Sequence, residues 1–112
     1  MAGTNTTTTF RADISQLKAQ MQAAGRAVRL AASEFKAATA GLDDWGSSAD
    51  GLEAKIKQLN TTLEAQKSVL SMQEQELAKT EKEYGKNSAA ADRVRIAINN
   101  QKAAIASTEK SL

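Results

Sequence analysis

The sequence contains no proline, no cysteine and no histidine in 112 residues, and each absence removes a class of structure or chemistry. Proline is the strongest interruption of a helix, because its ring clashes with the preceding turn and its nitrogen cannot donate. Without it, only six glycines punctuate the chain. Without cysteine there are no disulfides, thiol nucleophiles or thiolate metal ligands. Without histidine the common zinc sites are gone, and so is the usual proton carrier near neutral pH. Aromatic residues are few: Phe10, Phe35, Trp45 and Tyr84. No apolar run approaches the roughly eighteen residues that a membrane-spanning helix needs. Met1 to Thr9 is threonine-rich and uncharged, unlike a secretory signal, and is expected to be a disordered lead-in.

What is present is charge of both signs, alanine, and a periodic scatter of larger apolar residues. The formal charge is +2, from 15 basic and 13 acidic groups. Residues 11–42 hold five basic and two acidic groups, residues 51–84 five and six, and residues 86–112 five and two. Arg26, Arg29 and Lys36, with Arg93 and Arg95, form no contiguous basic stripe, so a nucleic-acid contact gains no support; they read as a solvated helix face.

The apolar residues fall on a heptad frame. Over the first helix, about residues 12–40, and its flanks the steps alternate four and three through Phe10, Ile14, Leu17, Met21, Ala24, Val28, Ala31, Phe35, Ala38 and Leu42, which is the coiled-coil spacing. Ala27 and Leu30 widen that stripe, as expected if more than one partner packs there. Residues 51–84 carry Ile56, Leu63, Leu70, Leu77 and Tyr84 on one row, and Leu52, Leu59, Gln66, Gln73 and Thr80 on the companion row. Residues 88–112 carry Ala91, Ile98, Ile105 and Leu112, with Val94, Gln101 and Thr108 beside them. The pattern predicts an all-α fold of three long helices, packed as an antiparallel coiled-coil hairpin or three-helix bundle.

The last two helices match each other when folded about Asn87 and Ser88. Leu77 then meets Ile98, Leu70 meets Ile105 and Leu63 meets Leu112, while Gln73 faces Gln101 and Gln66 faces Thr108. Polar layers that coincide can satisfy each other and fix the register. The first helix is expected to fold back on the same row, setting Phe35 by Ile56, Val28 by Leu63, Met21 by Leu70 and Ile14 by Leu77. Between helices, Gly41 reads as a C-cap, Asp50 with Glu53 as a capping box, Gly85 as a left-handed C-cap, and Asn87 or Ser88 as the next N-cap. Trp45 is expected to plug the end of the helix pair, with a partner-facing indole as the alternative. Leu112, a core position with no cap after it, suggests a fragment of a longer protein.

No constellation for catalysis, cofactor binding or metal ligation emerges. Glu81 and Glu83 diverge on a helix, and Gly41, Gly46 and Gly51 match no phosphate loop. The residues singled out are candidates for packing or partner contact: Phe35, Trp45, Leu63, Leu70, Leu77, Ile98 and Ile105. The expected role is structural rather than enzymatic, with no small-molecule substrate.

Two stretches, Phe10-Arg11-Ala12-Asp13-Ile14-Ser15-Gln16-Leu17 and Arg29-Leu30-Ala31-Ala32-Ser33-Glu34-Phe35-Lys36-Ala37-Ala38, resemble the N-terminal region of phage tail tape measure proteins. So do Gly41-Leu42-Asp43-Asp44-Trp45, Ser48-Ala49-Asp50-Gly51-Leu52, Lys55-Ile56-Lys57-Gln58-Leu59-Asn60, and the turn Tyr84-Gly85-Lys86-Asn87-Ser88 with Ile98-Asn99-Asn100-Gln101 after it. The resemblance implies a mostly helical tail-assembly protein of a siphophage or prophage, which scaffolds tube polymerisation and sets tail length from the tail interior. The partners it implies are tail tube, tail-assembly chaperone or baseplate proteins, alongside self-association. At 112 residues the chain would be the head end of such a ruler. The alternatives are a secreted helical hairpin of the WXG type, from which the adjacent Trp45-Gly46 departs in spacing, and a generic coiled-coil adaptor.

Overall fold

The computed structural model describes residues 2–112, with side chains described from Thr9 onward. Three α-helices make up almost all of it: α1 (Ala2–Thr39), α2 (Ala49–Tyr84) and α3 (Ala89–Ser111), with a 3-10 turn at Trp45–Ser47 before α2. No strand occurs among the described residues. The all-α expectation therefore holds. Helical backbone begins at Ala2, ahead of the start read from the apolar pattern. Once a helix is nucleated each added residue gains a hydrogen bond, and nothing from Ala2 to Thr9 blocks that as proline would. The expected disordered lead-in thus carries helical backbone from Ala2, and Met1 lies outside the described residues.

The helix ends are set by side chains that satisfy orphan backbone groups. Ser48 holds an extended backbone, and its Oγ accepts from the Gly51 N–H at 3.2 Å. The cap of α2 is thus Ser48, two residues before the Asp50 expected from the capping-box spacing. Ser88 repeats the device for α3, accepting from the Ala91 N–H at 3.1 Å. At the end of α1 the Thr39 hydroxyl donates to the Phe35 carbonyl at 2.8 Å. Gly41 is not left-handed: among the described residues Gly85 alone has positive φ. Gly85, at φ 98 and ψ 152, occupies a region open only to glycine and ends α2 with its N–H donating to the Glu81 carbonyl at 2.8 Å.

α2 is the central helix, and α1 and α3 both run antiparallel to it. The molecule is a rod, 63 × 22 × 15 Å, with a radius of gyration of 18.3 Å, where a compact domain of this length would have about 13 Å. Its accessible surface is 7447 Å² against roughly 6,000 Å² for a compact protein of similar mass. The core is correspondingly thin. Among the described residues Leu17, Ala31, Ala65, Met72, Ala91, Val94, Ile98 and Ile105 are its buried apolar residues, and no large side chain there is wholly enclosed.

The α2–α3 seam has the register that the polar layers predict. Ala91, Val94, Ile98, Ile105 and Thr108 are all buried on one face of α3, and the Thr108 hydroxyl donates to Gln66 Oε1 at 2.7 Å. Charged pairs flank the seam at the same register: Glu81 with Arg95 at 2.6 Å and Lys67 with Glu109 at 3.9 Å. The Gln73 layer departs from expectation. Gln101 Nε2 donates to the Gln66 carbonyl at 3.1 Å instead, and Gln73 Oε1 is buried without a partner. The Leu63–Leu112 layer is not closed, because Leu112 lies past the last helical turn and is 51% exposed.

The placement of α1 corrects the sequence reading. Its axial register against α2 is close to the one expected, since Asp13 pairs with Lys79 at 3.1 Å. The face of α2 it uses is different. α1 lies along Gln58, Ala65, Met72 and Lys79, spaced seven apart, of which Ala65 and Met72 are buried, while Gly51, next on the same row, is buried under the Trp45 turn. Ile56, expected beside Phe35, is 52% exposed. The physical reason is exclusion. α3 already covers the row of Leu70 and Leu77, and two helices cannot occupy one stripe at the same level. The remaining face offers small side chains, Ala54, Thr61, Ala65 and Ser68, over which the alanine-rich stripe of α1 can approach closely.

Candidate functional site

The candidate sites are built from the surfaces that the three helices leave open. The first is the loop end. The Phe35 and Trp45 rings meet edge to face with centroids 5.0 Å apart, and the Lys55 ammonium sits 4.9 Å from the Phe35 ring centre. Such an arrangement aims ring hydrogens and a cation at the electron-rich ring face. Gly51 makes it possible. A Cβ there would lie 2.7 Å from Trp45 Cβ and 2.8 Å from Trp45 Cα, with the Trp45 carbonyl oxygen nearer still. The backbone of the 3-10 turn therefore rests directly on the first turn of α2. Trp45 is half-buried, packed as the expected plug while retaining an exposed part.

The second surface is the uncovered part of the α2 seam. Leu63, Leu70 and Leu77 are half-buried on the α3-facing row, opposite the buried Ile98 and Ile105. Beyond the end of α3 the same stripe continues without a cover: Leu52 is 46% and Ile56 52% exposed. Tyr84, on the same row at the other end, is 54% exposed and meets Phe10 edge to face at 5.3 Å. Thus the row is sealed in its middle and open at both ends.

The third is the cleft between α1 and α2. Its two lobes share Ala27 and Thr61, and the lobe toward the loops, about 200 Å³, has Leu30 on its rim at 60% exposure. Leu30 and Ala27 widen the stripe of α1 as read from the sequence, but the described residues leave most of Leu30 uncovered. At the opposite end a cleft of about 330 Å³ lies where Phe10 and Ile14 of α1, Thr80 of α2 and Val94 of α3 converge.

Among the described residues no group of three or more acidic side chains is placed to hold a metal ion, and no helix is long and apolar enough to cross a membrane. The sequence candidates divide cleanly. Leu63, Leu70, Leu77, Ile98 and Ile105 belong to the α2–α3 seam, and Phe35 with Trp45 to the loop end. Sequence reasoning missed the second stripe of α2, Gly51 to Lys79. Its one available signal was the recurrence of small or long-stemmed residues every seventh position, which a hydrophobicity count does not register. No protein-family profile, curated protein or solved structure matches the chain.

Proposed function

We propose that this chain is a structural piece of a phage tail, the folded head end of a tape measure housed in the tail interior. The observation that carries the reading is shape. The three helices contain 38, 36 and 23 residues, about 146 Å of helix at ordinary rise, folded into a rod 63 Å long and 22 × 15 Å across. A long, narrow, wholly helical body suits a tube lumen. Its surface exceeds that of a compact protein by roughly the area of one standard interface, as suits a part completed by assembly. The loops that carry the resemblance, Asp43-Asp44-Trp45 and Gly85-Lys86-Asn87-Ser88, are also the two places where the rod turns. In this role the chain contributes apolar seams to copies of itself and to tube, chaperone or baseplate proteins, and performs no bond chemistry.

The test is an in-frame deletion of the codons for residues 10–112 in the phage or prophage that encodes the chain, read by electron microscopy of the tails. A folded end that nucleates the tube predicts loss of tails. A ruler segment predicts tails shorter by roughly the extended length of the deleted helices. Tails of normal number and length would overturn the proposal.

A further inference from the structure

The heptad frame does not stop at the turn between α2 and α3. Leu70, Leu77, Tyr84, Ala91, Ile98 and Ile105 fall at intervals of seven, with Gly85–Ser88 inside the count. A hairpin needs its turn only to deliver α3 with the right face inward. It does not need the two rows to share one phase. A single uninterrupted helix does need it. The turn is four residues long, contains no proline, and depends on one glycine-only conformation at Gly85.

We propose that α3 exchanges between two copies of this chain. In the exchanged form Gly85–Ser88 becomes helical, α2 and α3 merge into one helix of about 95 Å, and two such helices pair antiparallel. Each α3 then lies on the α2 of the other copy. The contacts that close the hairpin are remade without change: Gln66 with Thr108, Glu81 with Arg95, Lys67 with Glu109. Glu74 and Lys102 stand at the same register, again with opposite charge. The two-fold axis falls at the turn, so Asn87 meets Asn87 of the second copy, an amide pair able to bond to itself. α1 does not obstruct the exchange, because it occupies the separate Gly51-to-Lys79 face of its own α2. Two side-chain contacts belong to the closed form alone: Ser88 Oγ accepts from the Ala91 N–H, and the Arg95 guanidinium donates to the Lys86 carbonyl while also holding Glu81 and Asp92. Arg95 is thus the latch of the turn, and short hinges with strained residues are where arm exchange arises.

The inference stands apart from the tape-measure reading, since it rests only on phase, register and the turn. Its test uses Gly85→Ala, which strains the closed turn and favours the merged helix. Sedimentation equilibrium should show association strengthened on the order of a hundredfold relative to the unmodified chain. With Leu70→Cys and Ile105→Cys added, oxidation should link the two within one chain when Gly85 is kept, and between chains when it is alanine. A helical, monomeric Gly85→Ala chain would overturn the proposal. So would a dimer in which Leu70→Cys links to its own copy, the mark of a parallel pair. Should Gly85→Ala fail to fold, the unmodified turn still decides. Chains carrying Leu70→Cys alone and Ile105→Cys alone, refolded together at high concentration, should form the mixed disulfide, and its absence refutes exchange.

Discussion

Replacing Gly51 by alanine adds one methyl group where the backbone of the Trp45 turn already touches α2. The new Cβ would sit 2.7 Å from Trp45 Cβ and 2.8 Å from Trp45 Cα, separations that side-chain rotation cannot relieve. Either the 3-10 turn lifts away, or the first turn of α2 unwinds and the 3.2 Å bond from Gly51 N–H to Ser48 Oγ opens. Overpacking of this kind costs about 1–3 kcal/mol, and loss of the Phe35–Trp45 edge contact adds about 0.5–1.5 kcal/mol. Against this, alanine gains at most about 1 kcal/mol over glycine in a helix. The predicted net is a destabilisation of about 1–3 kcal/mol, seen as a lower urea midpoint by circular dichroism. Trp45 is the one tryptophan, so its fluorescence should shift toward that of a solvated indole in the folded state. Gly25→Ala supplies the control. A Cβ there meets only Arg29 Nη1, at 3.7 Å, in the middle of α1, so the same chemical change should stabilise by up to about 1 kcal/mol. If both substitutions stabilise equally and the Gly51→Ala fluorescence is unchanged, the close approach of Trp45 is refuted.

Three further predictions concern the seam and its caps. Gln73→Leu removes the buried oxygen that has no partner and should raise stability by about 1 kcal/mol in urea titration; a loss would mean the amide is bonded after all. Ile98→Ala should cost about 2–4 kcal/mol, whereas Ile56→Ala, at a position 52% exposed, should cost under about 0.5 kcal/mol in the dilute isolated chain; equal losses would place a cover over Ile56. Ser88→Ala removes the hydroxyl that accepts from Ala91 N–H and should cost about 1 kcal/mol, with hydrogen exchange quickening first at the amides of the opening turn of α3.

The α2–α3 hairpin was legible because two independent signals agreed. Its apolar rows alternate four and three, and its glutamine and threonine layers coincide only in one antiparallel register. The Thr108–Gln66 bond sits in that register. Gln73 escaped because a pattern specifies which layers meet, not how each amide turns. Gly85 was legible as the end of α2, although its ψ of 152 is extended rather than that of the left-handed cap expected, and nothing in the sequence told that Gly41 lacks a positive φ.

By itself the amino-acid sequence determined that this protein is helical, where its chain turns, and how α2 and α3 face each other. Absence of proline, the Ser88 cap and heptad phase act locally or between neighbouring helices, so composition and spacing suffice to read them, whereas the cap of α2 was read at Asp50 and lies at Ser48. Only the tertiary structure decided where α1 goes. Its stripe suits any apolar or small-residue face, and the choice depended on α3 having taken the leucine row first. Ala65 and Met72 became interface residues through that exclusion, whereas Gly51 is buried under the Trp45 turn. Ala65 is small and Met72 stands off the leucine row, which is why the apolar spacing did not mark them.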